Sequence, residues 1–120
     1  RPIFAAGLAD VYTPDHVLTG EVTLVSMPGH SPGHIGVSIR SNGESAFVTG
    51  DMMHHPCQLA RPDWRSPFDF DGDKAQHTRE NFLRDYVASS TLIIGSHFAT
   101  PSAGYVVTDG DTYKLDIESN

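Results

Sequence analysis

Ser26 to Val37 reads SMPGHSPGHIGV, and the fold turns on how this stretch is understood. His30 and His34 are four apart, as on one face of a helix. Each follows a glycine, and Pro28 and Pro32 flank the first. Helices do not carry Pro and Gly at that density, so the pair belongs to a loop. Apolar, β-branched runs lie on both sides. Glu21–Ser26 (EVTLVS) reads as a strand, Met27–Gly33 as the loop, and HIGVSIR as the next strand.

Outward from the loop, Asn42-Gly43 joins two apolar runs and predicts a two-residue hairpin, because a type I′ turn needs positive φ twice. Asp51 stands at the end of the second of these strands, SAFVTGD. Met52 to Asp71 carries three prolines and no period, and reads as a long loop. Asp73 is the expected N-cap of a helix, with Gln76 completing a capping box. Ala75, Phe82, Leu83, Tyr86 and Val87 form its apolar stripe, and the helix is expected to end near Ser89. STLIIGSHF reads as a short buried strand ending at His97. GYVVTDGDTYKLDI reads as a last hairpin on Asp109-Gly110. Arg1 to Thr19 shows little periodicity. The order β, ββ, α, β, ββ is α/β, with a mixed, mostly antiparallel sheet and one main helix, and residues 1–120 are expected to form a single domain.

Composition narrows the function classes. The apolar fraction of 38%, with 11 glycines added, is that of a globular chain rather than a disordered one. Eight basic residues against 15 acidic give a net charge of −7, and the basic ones are scattered, which excludes a nucleic-acid partner. No apolar run approaches a membrane span. No targeting pattern opens the chain, which favours a cytoplasmic location. The one cysteine, Cys57, excludes an internal disulfide framework and reads as a small hydrophobe.

His30, Asp51 and His97 each follow a strand or open the loop after it, where α/β sheets gather ligands. Two imidazoles and a carboxylate are donors for zinc or iron. Gly29, Gly50 and Gly95 stand before or near them and would let the backbone approach an ion. The bland alternatives are loop histidines capping backbone groups, an ordinary turn aspartate and a satisfied core histidine.

SMPGHSPGHIGVSI, AFVTGDMM and LIIGSHFATPSAG, in that order, resemble the second half of the metallo-β-lactamase superfamily, over about Val22 to Tyr105. The resemblance implies half of an αββα sandwich. It implies His30 as a ligand of one metal ion, Asp51 as the carboxylate shared by two, and His97 as a ligand of the second. His34 is then a support beneath the site rather than a ligand. The implied cofactor is zinc, two ions in an intact member, and the implied activity is hydrolysis of a small molecule. The loop after TGDMMHHP is closest to lactonase and organophosphate-hydrolase-like members, which implies a lactone or ester substrate. His54, three after the aspartate, is the implied substrate contact. Trp64, Phe68 and Phe70 are either a pocket wall or lid packing. Asp69, Asp71 and Asp73 read as a cap and solvated turn.

The first-half signature HxHxDH is absent, and His54-His55 lacks its spacing. The expectation is therefore a C-terminal fragment of a metal-dependent hydrolase, inactive alone. The alternative is a non-catalytic half-domain or assembly module. In either case one apolar sheet face is left without a partner, and a two-fold homodimer through that face is expected.

Overall fold

The computed structural model describes residues 1–118. Six strands form one sheet in simple sequence order: β1 (Val22–Ser26), β2 (Ile35–Ser41), β3 (Glu44–Val48), β4 (Thr91–Ile94), β5 (Ala103–Asp109) and β6 (Thr112–Asp116). Only β3 and β4 run parallel, and the segment between them crosses over through the main helix. The other neighbours are antiparallel. The Asn42-Gly43 hairpin forms as expected, with φ of 52° and 83°. The last hairpin turns on Gly110-Asp111 rather than Asp109-Gly110, because Asp109 still pairs with Thr112.

Among the described residues three α-helices accompany the sheet, α1 (Pro2–Ala5), α2 (Cys57–Ala60) and α3 (Gly72–Tyr86), with a 3-10 turn at Gly50–Met52. Helix α1 has no buried residue, so it adds nothing to the core. Helix α3 buries Phe82 and Leu83 in the core and sets Ala75 against Gly29 of the β1–β2 loop. Phe82 and Tyr86 stack on one another and meet Phe47 at ring-centroid distances of 5.1 and 5.2 Å. Phe47, Ile93 and Val106, from the three central strands, complete this core with Leu59, Met52 and Met53.

The boundaries of α3 depart from the sequence reading at both ends. Asp71, not Asp73, is the N-cap: its backbone is extended and its carboxylate accepts from the Lys74 N–H at 3.0 Å. Asp73 instead pairs with Arg65, and Gln76 bonds Arg65 and Glu80, so no capping box forms. The helix stops at Tyr86 rather than near Ser89. Ala88 turns left-handed (φ 57°) and its N–H crosses to the Val106 carbonyl at 3.1 Å.

Met52 to Asp71 is a packed segment, not an open loop. It contains α2, and it buries Met52, Met53, Gln58 and Leu59. The Gln58 side chain accepts from the His54 N–H at 2.7 Å and donates to the Trp64 carbonyl at 2.7 Å, tying both arms together.

The opposite sheet face is apolar throughout its centre. One cross-strand row runs Leu24, Val37, Val48 and Ile94; the next runs Val22, Ile39, Ala46 and Leu92. All eight are half-buried by one another and none is fully buried. No helix among the described residues is long and apolar enough to cross a membrane.

Candidate metal centre

Three segments converge at one edge of the sheet: the β1–β2 loop with His30, the turn after β3 with Asp51, and the β4–β5 connection with His97. His30 Nε2 lies 3.3 Å from Asp51 Oδ2, and His97 Nε2 lies 2.9 Å from Asp51 Oδ1. The carboxylate thus offers one oxygen to each imidazole. His97 is not at a strand end, since β4 stops at Ile94; it sits exposed in the following turn. His54 joins the cluster, its ring 5.1 Å from that of His30 and 4.9 Å from that of His97.

Burial alone would raise the Asp51 carboxyl. The hydrogen bond with His97 and the charges of His97, His30 and His34 outweigh it, and Asp51 is held below its ordinary value. His54 is lowered, first by burial and then by the charges of His97 and His30, against the pull of Asp69 and Asp51. A lowered imidazole is neutral near pH 7 and keeps a lone pair for a metal.

His34 hydrogen-bonds through both ring nitrogens. Its Nε2 accepts from the Asp51 N–H at 2.8 Å, so its Nδ1 carries the proton and donates to the Met27 carbonyl at 3.1 Å. One ring therefore clamps the end of β1 to the turn that carries Asp51. Burial is the largest influence and lowers its pKa from 6.5. A second proton would face a backbone N–H, donor against donor. The unfolded chain takes up that proton near pH 6.5, before the folded chain does, so stability falls as pH drops through 6.5 and levels off below the folded pKa. His54 acts with the same sign. Urea midpoints read by circular dichroism should fall from about pH 7 to about pH 5, and His34→Asn should make that slope shallower. An unchanged slope in the variant would refute the clamp.

The glycines also make room for protein neighbours. A Cβ on Gly29 (φ 137°) would strike the backbone of Ala75 in α3, and one on Gly95 would strike the Phe98 ring. A Cβ on Gly50 (φ 56°) would come within 2.8 Å of His34 Nε2. They admit protein neighbours beside the segments that carry His30, Asp51 and His97.

Asp69 is the residue the sequence reading missed. Its side chain is 1% exposed, so it is no solvated turn residue. Oδ1 meets His30 Nδ1 at 3.3 Å, and Oδ2 accepts from the Ser66 N–H at 3.1 Å. A carboxylate behind a histidine fixes its tautomer and leaves the far nitrogen free to ligate. Asp69 lies 39 positions from His30, and no spacing signals their contact. Trp64, Phe68 and Phe70 are all exposed, and Phe70 lines a small pocket with Gly29, Pro32, Asp71 and Lys74. The Phe70 and Asp71 N–H groups do hold the ligand loop, donating to the His30 and Gly29 carbonyls at 3.0 Å each. Cys57 is half-buried rather than buried, and His55 takes the Cys57 N–H at 3.1 Å.

Solved structures share this architecture. AidC, a dizinc quorum-quenching lactonase in complex with an N-acyl-homoserine product, matches 91% of this chain over 37% of its own, with TM-score 0.80 and 25% identity. The hydrolase AbOPH of the β-lactamase superfamily matches 95% over 40%, with TM-score 0.84 and 26% identity. The fold is that of the second half of the metallo-β-lactamase superfamily. A probable metal-dependent hydrolase from Staphylococcus aureus, at 19% identity and TM-score 0.78, shows the same half-sandwich fold over 93% of this chain. The chain spans about two fifths of the length of each of these metallo-β-lactamase-fold structures. No family model and no curated protein matches the sequence.

The donor set fits zinc. It comprises imidazole nitrogens and one carboxylate, with a second carboxylate behind His30 and a buried ring nitrogen, His54 Nδ1, that has no partner among the described residues.

Proposed function

We propose that this chain is the metal-binding second half of a metal-dependent hydrolase acting on a lactone or ester. The observation that carries the reading is the division of Asp51, one oxygen toward His30 and the other toward His97. That is the arrangement of a carboxylate shared by two ions. Zinc bound there would act as a Lewis acid and lower the pKa of water. His30 and His97 hold the metal side, Asp69 and His34 hold the two loops in register, and the remaining ligands come from a first half carrying HxHxDH. The lactonase activity of AidC supports the substrate class. The two apolar rows on the free sheet face support a packed partner there, either that first half or, in its absence, a second copy of this chain in a two-fold dimer.

The chain alone, with added zinc, should leave lactones and esters at background rates. A polypeptide joining it to a first half should hydrolyse N-acyl-homoserine lactones, and His30→Ala should abolish the rate. Sedimentation of the chain alone should give a dimer. Hydrolysis by the chain alone that depends on His30 would overturn the need for a first half. An inactive joined polypeptide holding two zinc ions would overturn the substrate class.

A further inference from the structure

Two ligands per ion leave each metal short, because zinc sites use at least three protein donors. His54 removes that shortfall on one side. One donor atom from each of His30, Asp51 and His54 lies within 4.8 Å of the other two. We infer that His30, Asp51 and His54 form a self-contained site for one zinc ion, with His54 as a ligand rather than a substrate contact. The site lies wholly within this chain and holds whether or not the chain serves a hydrolase.

Ligand atoms around tetrahedral zinc are about 3.4 Å apart, given bonds of about 2.1 Å. His30 Nε2 and Asp51 Oδ2 are already at 3.3 Å. All three donor atoms lie within 4.8 Å of one another, so closing on an ion needs no separation to shrink by more than about 1.4 Å. The other cluster members are spoken for. His34 has both ring nitrogens engaged, by Met27 and Asp51. His97 is exposed and lies against the opposite oxygen of Asp51.

Three supports prepare the site. Asp69 backs His30 through Nδ1, which turns Nε2 toward Asp51. Buried Gln58 fixes the backbone of His54. The Nδ1 of His54 is buried without a partner among the described residues. A buried polar atom left unpaired is unfavourable, and ligation through Nδ1 would pair it. Two imidazoles and one carboxylate with an open fourth position is the donor set of catalytic zinc sites, and iron(II) takes it too.

Calorimetry with zinc, and the visible absorption of cobalt(II) as a zinc probe, test this on the chain alone. Wild type should bind one equivalent with a tetrahedral cobalt spectrum. His54→Ala and His30→Ala should each weaken binding at least ~10-fold, the least expected when even a supporting residue is lost. His97→Ala should stay within a few-fold. His54→Gln, with thermal melts, checks that loss of binding is not loss of fold. Wild-type affinity in a folded His54→Ala chain overturns the inference, as does binding that depends on His97 instead. Two zinc ions retained by a joined polypeptide bearing His54→Ala, with turnover lost, would also overturn it while leaving the hydrolase reading intact. One zinc held by the chain with no hydrolysis from the joined polypeptide would do the reverse.

Discussion

Arg79→Leu should destabilise the chain by about 3–5 kcal/mol, the usual result of removing one partner from a buried ion pair. Arg79 lies on the buried face of α3 and is fully buried. Its Nε donates to the Pro62 carbonyl at 3.0 Å and its Nη1 to the Met52 carbonyl at 3.3 Å. Nη1 also lies 3.6 Å from Asp69 Oδ2. Burial lowers its pKa and Asp69 pulls it back up, and a guanidinium keeps its charge in either case. Leucine would leave a buried carboxylate and two carbonyls without their cation. Because domains are stable by only about 5–15 kcal/mol, the loss is a large share of the total. Urea unfolding is the measurement. Arg79→Lys should fall between, since it keeps the charge but not the fork. The double variant with Asp69→Asn should lose less than the sum of the two, because the first change already removes the guanidinium facing Asp69. A loss under about 1 kcal/mol for Arg79→Leu would mean that the pair is solvated and does not hold the site.

Arg79 also shows where the sequence stopped being legible. The sheet was readable because its signals are local. Asn42-Gly43 forces a hairpin by backbone sterics, and the alternation around Phe47 and Ile93 sets which face is buried. The ligand loops were readable because SMPGHSPGH, FVTGD and IGSH are short motifs in a fixed order. What was not readable depends on contacts between distant segments. The interior carboxylate at Asp69 looked like one of three similar aspartates beside Gly72. Only the fold separates them: one goes to His30 and Arg79, one caps α3, and one pairs with Arg65 on the surface. The packed state of Met52–Asp71 was hidden likewise, because a four-residue helix between prolines has no period to find. The ring contacts of His54 were hidden too, because its neighbours His30 and His97 come from two other loops.

Gly29→Ala should be the most damaging single-methyl change in the site. The φ of 137° at Gly29 lies in a region that L side chains rarely adopt, which costs about 1–3 kcal/mol. The added Cβ would also meet the backbone of Ala75, which cannot swing away as a flexible side chain would. Overpacking of this kind costs about 1–3 kcal/mol more. The two penalties relax together: either α3 lifts from the loop, or the loop lifts from α3. In the second case His30 moves with it, because Gly29 and His30 are held to the α3 approach by the Asp71 and Phe70 N–H groups. His30 would then separate from both Asp69 and Asp51. The expected result is a lower urea midpoint together with a drop of at least ~10-fold in zinc affinity for the folded fraction, the size of effect seen when the support of a ligand fails. Gly33→Ala is the matched control. It lies on the same loop with nothing within 4 Å of its added Cβ, and it should alter neither quantity. Equal effects from the two variants would show that loop flexibility, and not the close approach of α3, sets the position of His30.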